Sequence, residues 1–274
     1  MTQAIWSLAC DCHVHIYEQG YPLVSTATFK PPHAPASEYL QLQKQLGFER
    51  VVVVQPTGYG LDNRCTLDAI AQLGSGARGI AVIRPETSEE ELHRLHHAGI
   101  RGVRYMMLPG GVLSWDGLEE TAARIAPFGW NINLQLDGST LPIHEKRLLK
   151  LPCHLVIDHI GKFLTPVDLQ SPAFLSLCRI LDGGRCWIKL SAPYESSRSG
   201  PPGYEDTAPR VSALAAMYPQ RGLWASNWPH PNVVPTPSDQ ALLDWAISLF
   251  GSEATTHRIL VDNPAELYGF GPCK

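Results

Sequence analysis

Two histidines separated by one residue stand at the end of the first predicted strand, in the segment Asp-Cys-His-Val-His at residues 11–15. Alternate side chains of a strand point to the same side, so His13 and His15 can face the same end of a sheet. Imidazoles placed in this way can bind a metal ion or polarise a carbonyl group. The alternative is that both rings fill a polar end of the sheet without taking part in chemistry. The spacing favours the chemical role.

Further candidate residues lie at or just after the ends of later strands. His159, in the segment Asp-His-Ile-Gly-Lys at residues 158–162, stands where its ring can reach a bound molecule or, alternatively, bond a backbone carbonyl. Arg104 is suited to a carboxylate ligand because a guanidinium matches a carboxylate with two parallel hydrogen bonds. A buried arginine can also pair with a structural carboxylate. His230 either approaches the same site or shapes its loop.

Eight short, β-branched apolar segments recur along the chain, and most are continuous rather than alternating. Continuous apolar segments are typical of strands that are covered on both faces. The predicted strands are Leu8–Val14, Val51–Gln55, Gly79–Ile83, Gly102–Tyr105, Asn131–Leu136, His154–Asp158, Cys186–Leu190 and Gly222–Ala225.

Helical segments with recognisable ends separate these strands. Ser37 and Gly47 are expected to bound the first helix, Ser88 starts another, and Ser171 followed by proline starts a third. The remaining predicted helices are Thr66–Leu73, Leu118–Pro127, Pro142–Lys150, Tyr204–Met217, Ser238–Phe250 and Ala254–Asp262. Strand and helix in eightfold alternation indicate an α/β fold, a (β/α)8 TIM barrel, and we expect residues 1–274 to form one domain.

In such a barrel the carboxyl ends of all strands meet at one rim, where the chemistry takes place. The rim is rich in histidine, arginine and lysine on an acidic protein, which predicts a substrate that carries a carboxylate. Its other candidate residues are Thr57, Gln135, Asp137, Lys162, Tyr194, Arg198 and Asn227.

Composition excludes several classes of function. The chain of 274 residues has 22 Lys and Arg against 26 Asp and Glu, which argues against a general role in binding nucleic acid or membrane surfaces. Its apolar stretches are too short to span a bilayer, and we see no signal peptide. The seven cysteines lack zinc-binding spacing and fit reduced thiols. We therefore expect a cytoplasmic protein that acts on a small molecule.

Taken together, the motifs resemble those of the amidohydrolase superfamily, in the branch that contains 2-pyrone-4,6-dicarboxylate lactonase. The resemblance extends over nearly the whole chain, in the segments DCHVH, GVRY, VIDHIGK, KLSAPY, WASNWPHP and ILVDNPAELYGF. It implies a barrel with its site at the carboxyl-terminal rim, in agreement with the order of the elements.

One position departs from that pattern. Members that hydrolyse their substrates carry aspartate where this chain has Asn227. A carboxylate there can take a proton from water or bind a metal, whereas an amide is not basic and carries no charge. The substitution predicts weak hydrolysis and weak metal binding, and we expect no cofactor. Within the branch, the segments LPGG, LDG, DHIGKF, YESSR and SNWPH are similar to those of enzymes that interconvert the 1,5- and 1,4-lactones of galactarate without a metal.

This resemblance implies a sugar-acid lactone isomerase of galacturonate catabolism that works by intramolecular acyl transfer. The alternatives are a lactone hydrolase that uses another base and a sugar-acid-binding barrel without catalytic activity. We expect the three rim histidines to polarise the carbonyl and move the proton. The expected ligands of the substrate carboxylate are Arg104, Lys162 and Arg198, and those of its hydroxyls or ring oxygen are Tyr194 and Asn227.

Overall fold

The computed structural model describes residues 6–271. Eight parallel strands lie side by side in chain order. They are β1 (Cys10–Val14), β2 (Arg50–Val54), β3 (Ala77–Ala81), β4 (Ile100–Met106), β5 (Asn131–Gln135), β6 (His154–Ile157), β7 (Cys186–Lys189) and β8 (Gly222–Leu223). Backbone hydrogen bonds of 3.0 Å, from Cys12 to Trp224 and from Asn227 to His13, join β1 to the segment after β8 and close the barrel.

Helices surround the strands, as the sequence predicted for a (β/α)8 barrel. They are α1 (Ala36–Leu46), α2 (Arg64–Leu73), α3 (Glu89–His97), α4 (Leu118–Ile125), α5 (Leu141–Leu148), α6 (Pro172–Asp182), α7 (Ala208–Met217), α8 (Asp239–Leu249), α9 (Glu253–His257) and α10 (Asn263–Tyr268). The predicted fold is confirmed, and in the described part of the chain no helix is long and apolar enough to cross a membrane.

Two of the three serines predicted to cap the start of a helix do so. The side chains of Ser88 and Ser171 accept the backbone N–H of the residue three positions later, which is the usual N-cap geometry. The prediction of a cap at Ser37 was wrong. Because the extended backbone of Pro35 already precedes the helix, α1 begins at Ala36 and places Ser37 inside the first turn.

The predicted last helix, Ala254–Asp262, is interrupted. A wider, π-helical turn at Arg258–Asp262 follows α9 and leads into α10, which the sequence analysis missed. The amide of Asn263, the first residue of α10, donates to the carbonyls of Pro219 and Gly222 at 2.9 and 2.7 Å. Asn263, which follows the π-helical turn, therefore connects the start of α10 to the start of β8.

A register irregularity in β1 directs its histidines into the barrel. The pairing of β1 with β2 shifts between Asp11 and Val14. Asp11 turns outward and accepts the hydroxyl of Tyr39, while Cys12 joins the apolar cluster inside the barrel. His13, directly after Cys12, also points inward, where it contacts a lysine of β7. The irregularity thus places the His13 ring above the apolar layer that fills the lower barrel.

Candidate active site

A cavity of about 350 Å³ opens at the carboxyl-terminal rim of the barrel. It is lined by His15, Tyr17, Thr28, Phe29, Thr57, Arg104, Met106, Pro109, Gln135, His159, Lys162, Tyr194, Glu195, Asn227, Pro231, Asn232 and Val233. A larger depression of about 570 Å³ lies between α3 and α4 on the outer surface and contains none of the strand-end candidates. The rim cavity is therefore the candidate site.

The histidine pair of β1 is held in one arrangement. The Nδ1 atom of His15 lies 2.8 Å from the carbonyl of Val54, which can only accept, so Nδ1 carries the proton. The Nδ1 atom of His13 lies 2.9 Å from the ammonium of Lys189, which can only donate, so the proton of His13 is on Nε2. That Nε2–H then donates to Nε2 of His15 across 3.1 Å. All four ring nitrogens are engaged.

Lys189 is fully buried beneath the cavity and makes three contacts with acceptors. Besides His13, its ammonium donates to Asn133 Oδ1 at 2.7 Å and lies 3.0 Å from Asp158 Oδ1. Burial raises the pKa of Asp158, but the lysine and the neighbouring histidine outweigh it and hold that pKa well below its usual value. Burial lowers the pKa of Lys189, and Asp158 opposes that shift. The sequence analysis did not identify this ion pair.

His159 presents its ring to the cavity from the loop after β6. Its backbone is left-handed, with φ of 49°, and its Nδ1 lies 3.1 Å from the hydroxyl of Ser191. Its Nε2 forms no hydrogen bond within residues 6–271. Burial lowers the pKa of His159 to about 4, although Asp158 opposes the shift. The ring is therefore neutral at pH 7 and has one nitrogen free for a bound molecule.

Arg104 lines the opposite side of the cavity. Its terminal nitrogens donate to the carbonyl of Gln55 at 2.7 Å and to Oε1 of Gln135 at 2.9 Å, while its buried Nε has no partner. It forms no ion pair with a carboxylate of the described chain, and a guanidinium stays charged even when burial lowers its pKa. This uncompensated cation suits a ligand carboxylate.

Lys162, by contrast, is neutralised by a residue that the sequence analysis missed. Its ammonium lies 2.5 Å from Oε2 of Glu195, and both side chains line the cavity. The other carboxylate oxygen, Oε1, is 3.4 Å from the amide nitrogen of Asn227. Burial raises the pKa of Glu195, but Lys162 and then His159 outweigh it, so the pKa lies below its usual value. The segment Tyr-Glu-Ser-Ser-Arg contained the only available signal for Glu195.

Asn227 heads a chain of hydrogen bonds that leads away from the cavity. Its amide nitrogen faces Glu195, which can only accept, and donates to the hydroxyl of Tyr194 at 3.1 Å. The tyrosine hydroxyl then donates to Nδ1 of His230 at 2.7 Å, and Nε2 of that ring lies 2.9 Å from Asp239. His230 therefore supports Tyr194 from behind, and the cavity lining does not include it.

Two predicted substrate ligands lie elsewhere. Arg198 is exposed in the loop after β7, and only its backbone N–H is bonded, to Asp206. Asp137 accepts the backbone N–H groups of Ser139 and Leu164 and so shapes the loop after β5. The structure does not bring either residue into the cavity lining, because loop geometry rather than strand periodicity decides where their side chains point.

Three side chains could in principle form a metal site, since ligand atoms of His13, Asp158 and His159 lie within 4.8 Å of one another. The Lys189 ammonium already contacts both His13 Nδ1 and Asp158 Oδ1, so a divalent cation at these atoms would meet a positive charge at close range. The residue at the end of the eighth strand is an amide. This donor set does not fit a metal centre.

Comparison with known proteins places the chain in a family. Residues 10–270 match the amidohydrolase family model. A D-galactarolactone isomerase of Agrobacterium fabrum is 35% identical over 97% of this chain and 92% of its own length. A 2-pyrone-4,6-dicarboxylate hydrolase of Comamonas testosteroni is 33% identical over 95% and 90%.

Solved structures agree with the sequence matches. An apo crystal structure from Agrobacterium tumefaciens superposes with a TM-score of 0.93 at 34% identity and covers 97% of both chains. The rim cavity described above lies at the carboxyl-terminal face, where TIM-barrel enzymes build their active sites. The chain is a member of the amidohydrolase family.

Proposed function

We propose that this protein is a lactone isomerase that interconverts the 1,5- and 1,4-lactones of D-galactarate. The observation that carries the proposal is Asn227, which offers an amide where hydrolytic relatives carry a carboxylate. An amide cannot activate water, but a sugar-acid lactone brings its own hydroxyl to the carbonyl. The similarity to a D-galactarolactone isomerase over nearly the whole chain supports the same reaction.

Intramolecular attack needs orientation more than activation. Well-oriented groups in one molecule react with effective molarities of about 10⁵ M or more. In the proposed complex, Arg104 binds the free carboxylate of the lactone, and Gln135 holds the guanidinium in place. Nε2 of His159, which has no hydrogen-bond partner within residues 6–271, donates to the oxyanion that forms at the carbonyl carbon.

His13 and His15 take a different role from the one expected from sequence. All four of their ring nitrogens are engaged, so we assign them to the rigid floor of the site rather than to proton transfer. Tyr194 and Asn227, which are linked by a hydrogen bond, contact the substrate hydroxyls. Thr57 lines the same cavity and contributes a further hydroxyl.

The proposal requires neither a metal nor another cofactor. Lys189 supplies a fixed positive charge among the side chains that could otherwise bind a metal. We place the reaction in galacturonate catabolism in the cytoplasm. Six cysteines of the described chain are unpaired, in keeping with a reducing compartment.

A lactone hydrolase is the second candidate, because Glu195 brings a carboxylate to the cavity that could activate water. One experiment separates the candidates: incubation with D-galactaro-1,5-lactone, with and without EDTA, followed by proton NMR against an enzyme-free blank. We expect 1,4-lactone to form at the same rate in both samples. Free diacid would identify a hydrolase, and spectra equal to the blank would indicate a binding protein or another substrate. Loss of turnover in EDTA would contradict the metal-free reaction.

A further inference from the structure

We propose that Glu195 is a catalytic residue that carries the proton between the attacking and the leaving oxygen of the lactone. This inference rests on the isomerase reaction proposed above. Among the lining residues of the rim cavity that the structure describes, Glu195 is the only one with a carboxylate. It comes from the loop after β7, not from the end of the eighth strand, where hydrolytic relatives carry their aspartate.

The two oxygens of Glu195 have different surroundings. Oε2 is held by the Lys162 ammonium at 2.5 Å, which fixes the orientation of the carboxylate. In the part of the chain that the structure describes, Oε1 has a single hydrogen bond, a long one of 3.4 Å from the amide of Asn227. The side chain retains 20% of its exposure, on a wall of the cavity. One oxygen is therefore anchored, and the other has lone-pair capacity left for a substrate hydroxyl.

The neighbouring histidines are less suited to accept the proton. His15 uses Nδ1 for the carbonyl of Val54 and Nε2 for His13, so it has no vacant acceptor. His159 has one free nitrogen, and its Nδ1 can accept the hydroxyl of Ser191, which leaves the proton on Nε2. In that state His159 is a donor for the oxyanion. The acceptor beside it is Glu195.

The proposed step balances in atoms and charge. The 4-hydroxyl oxygen of the 1,5-lactone forms a bond to the carbonyl carbon, and its proton passes to Oε1 of Glu195. The tetrahedral intermediate then breaks its bond to the 5-oxygen, which takes the proton back from Oε1. The two oxygens sit on adjacent carbons, within hydrogen-bond distance of each other, so one carboxylate oxygen can serve both. Glu195 returns to its starting state, and no water or co-reactant is needed.

The charges in the cavity support a position of the substrate hydroxyls beside Glu195. Arg104 has no carboxylate partner in residues 6–271, whereas Lys162 is already paired. The free carboxylate of the substrate is attracted to the uncompensated guanidinium and repelled by Glu195. The substrate therefore binds with its carboxylate toward Arg104, which leaves the reacting hydroxyls for Glu195.

The test is Glu195→Gln, assayed by proton NMR with D-galactaro-1,5-lactone beside the wild type. A glutamine oxygen can still accept the Lys162 ammonium, but the amide cannot accept the proton. We expect kcat to fall by about 10² or more, because general acid–base assistance is typically worth 10²–10⁴, while KM changes by less than about threefold. Glu145→Gln is the matched control, since Glu145 pairs with Arg179 on the outer helices and should leave kcat unchanged.

Two further variants separate proton transfer from a structural role. Glu195→Asp keeps a carboxylate and should retain more of kcat than Glu195→Gln. Glu195→Ala should recover turnover in proportion to added formate, which can enter the vacated space and accept the proton. A purely structural loss would respond to neither, so equal loss in Asp and Gln without formate rescue would overturn the proposal.

The outcomes also distinguish this inference from the proposed function. A wild type that forms no 1,4-lactone would reject the isomerase and, with it, this role of Glu195. A wild type that isomerises, together with a Glu195→Gln variant that keeps kcat within about threefold or changes KM alone, would reject only the role of Glu195.

Discussion

The two walls of the rim cavity are built differently. The first, which we call the strand wall, carries Arg104 of β4 and Gln135 of β5 within regular strands. The Arg104 cation has no carboxylate partner in the described chain. The second, which we call the loop wall, comes from the loops after β6 and β7 and carries Lys162 and Glu195 as an ion pair. One wall therefore presents net positive charge, and the other is close to neutral.

The backbone differs in the same sense. On the loop wall, His159, Lys162 and Ala192 all have positive φ, between 42° and 49°, a region that non-glycine residues seldom adopt. Asn227, in the adjoining segment after β8, has a φ of 64°. Such strain persists only where surrounding contacts impose it, and it is typical of functional sites. In the reaction proposed above, the strand wall would bind the substrate anion, and the loop wall, whose side chains are oriented by unusual loop geometry, would move the proton.

The strand wall gives the largest expected effect. Arg104→Ala removes the uncompensated cation. We expect transition-state binding, calculated from the ratio of the wild-type and variant kcat/KM values, to weaken by about 2–5 kcal/mol, which is typical for loss of one partner of a desolvated charge pair. Steady-state kinetics with the 1,5-lactone measure this loss. Unchanged kcat/KM in a folded variant would place the substrate carboxylate elsewhere and remove the proposed difference between the walls.

The loop wall should respond to acid through His159. Its pKa is about 4 in the folded protein, against the ordinary 6.5. Between pH 4 and pH 6.5 the His159 ring binds a proton in the unfolded protein but not in the folded protein. The contribution of the neutral ring to stability is therefore complete above pH 6.5 and is lost as the pH falls toward 4. Between pH 7 and pH 5, His159→Gln should lose about 2 kcal/mol less unfolding free energy than the wild type.

Urea unfolding at the two pH values checks this difference. His93→Gln, which changes an exposed histidine of α3, is the matched control and should lose as much stability as the wild type. Equal losses in the wild type and His159→Gln would show that the His159 ring is not kept neutral by burial.

Asn227→Asp should shift the products from isomer toward free diacid. The new carboxylate could assist water, but it would also stand beside Oε1 of Glu195, where two like charges favour holding one proton between them. Water must compete with a hydroxyl already at the carbonyl, so we expect partial conversion. The measurement is the early ratio of diacid to 1,4-lactone by NMR, with Asn232→Asp, at another asparagine of the cavity lining, as control. An unchanged ratio would mean that Asn227 does not direct the reaction away from hydrolysis.

Arg198→Ala should have the smallest effect, because the side chain is exposed and only its backbone is bonded. Surface substitutions of this kind usually change stability by less than about 0.5 kcal/mol, and we expect kcat/KM to stay within about twofold. A loss comparable to that of Arg104→Ala would show that the Arg198 loop closes over the substrate, and would give the loop wall a second role in anion binding.

The site residues that could be predicted from the sequence lie on strands or follow them, and those that were missed depend on loop geometry or on partners from several strands. Strand periodicity places Arg104 at the rim and puts His13 and His15 on the same side of β1, because the direction of a side chain in a strand follows from its position. The register irregularity between Asp11 and Val14, which the sequence does not reveal, is what turns that side inward. Glu195 was missed because its direction depends on a loop that starts at the left-handed Ala192. Lys189 was missed because a charged residue in a buried strand is recognised only when its partners from other strands are known.

Those partners have a consequence for how the barrel can be divided. The ammonium of Lys189 comes from β7, and its acceptors come from β1, β5 and the end of β6. A barrel of eight strands can be divided between β4 and β5 into two fragments of four strands each. Here a fragment holding only β5–β8 would keep the charge but lose the acceptor from β1, and a fragment holding β1–β4 would keep His13 without its donor. We therefore expect the fold to resist splitting between β4 and β5 unless both fragments reassemble around the Lys189 ammonium.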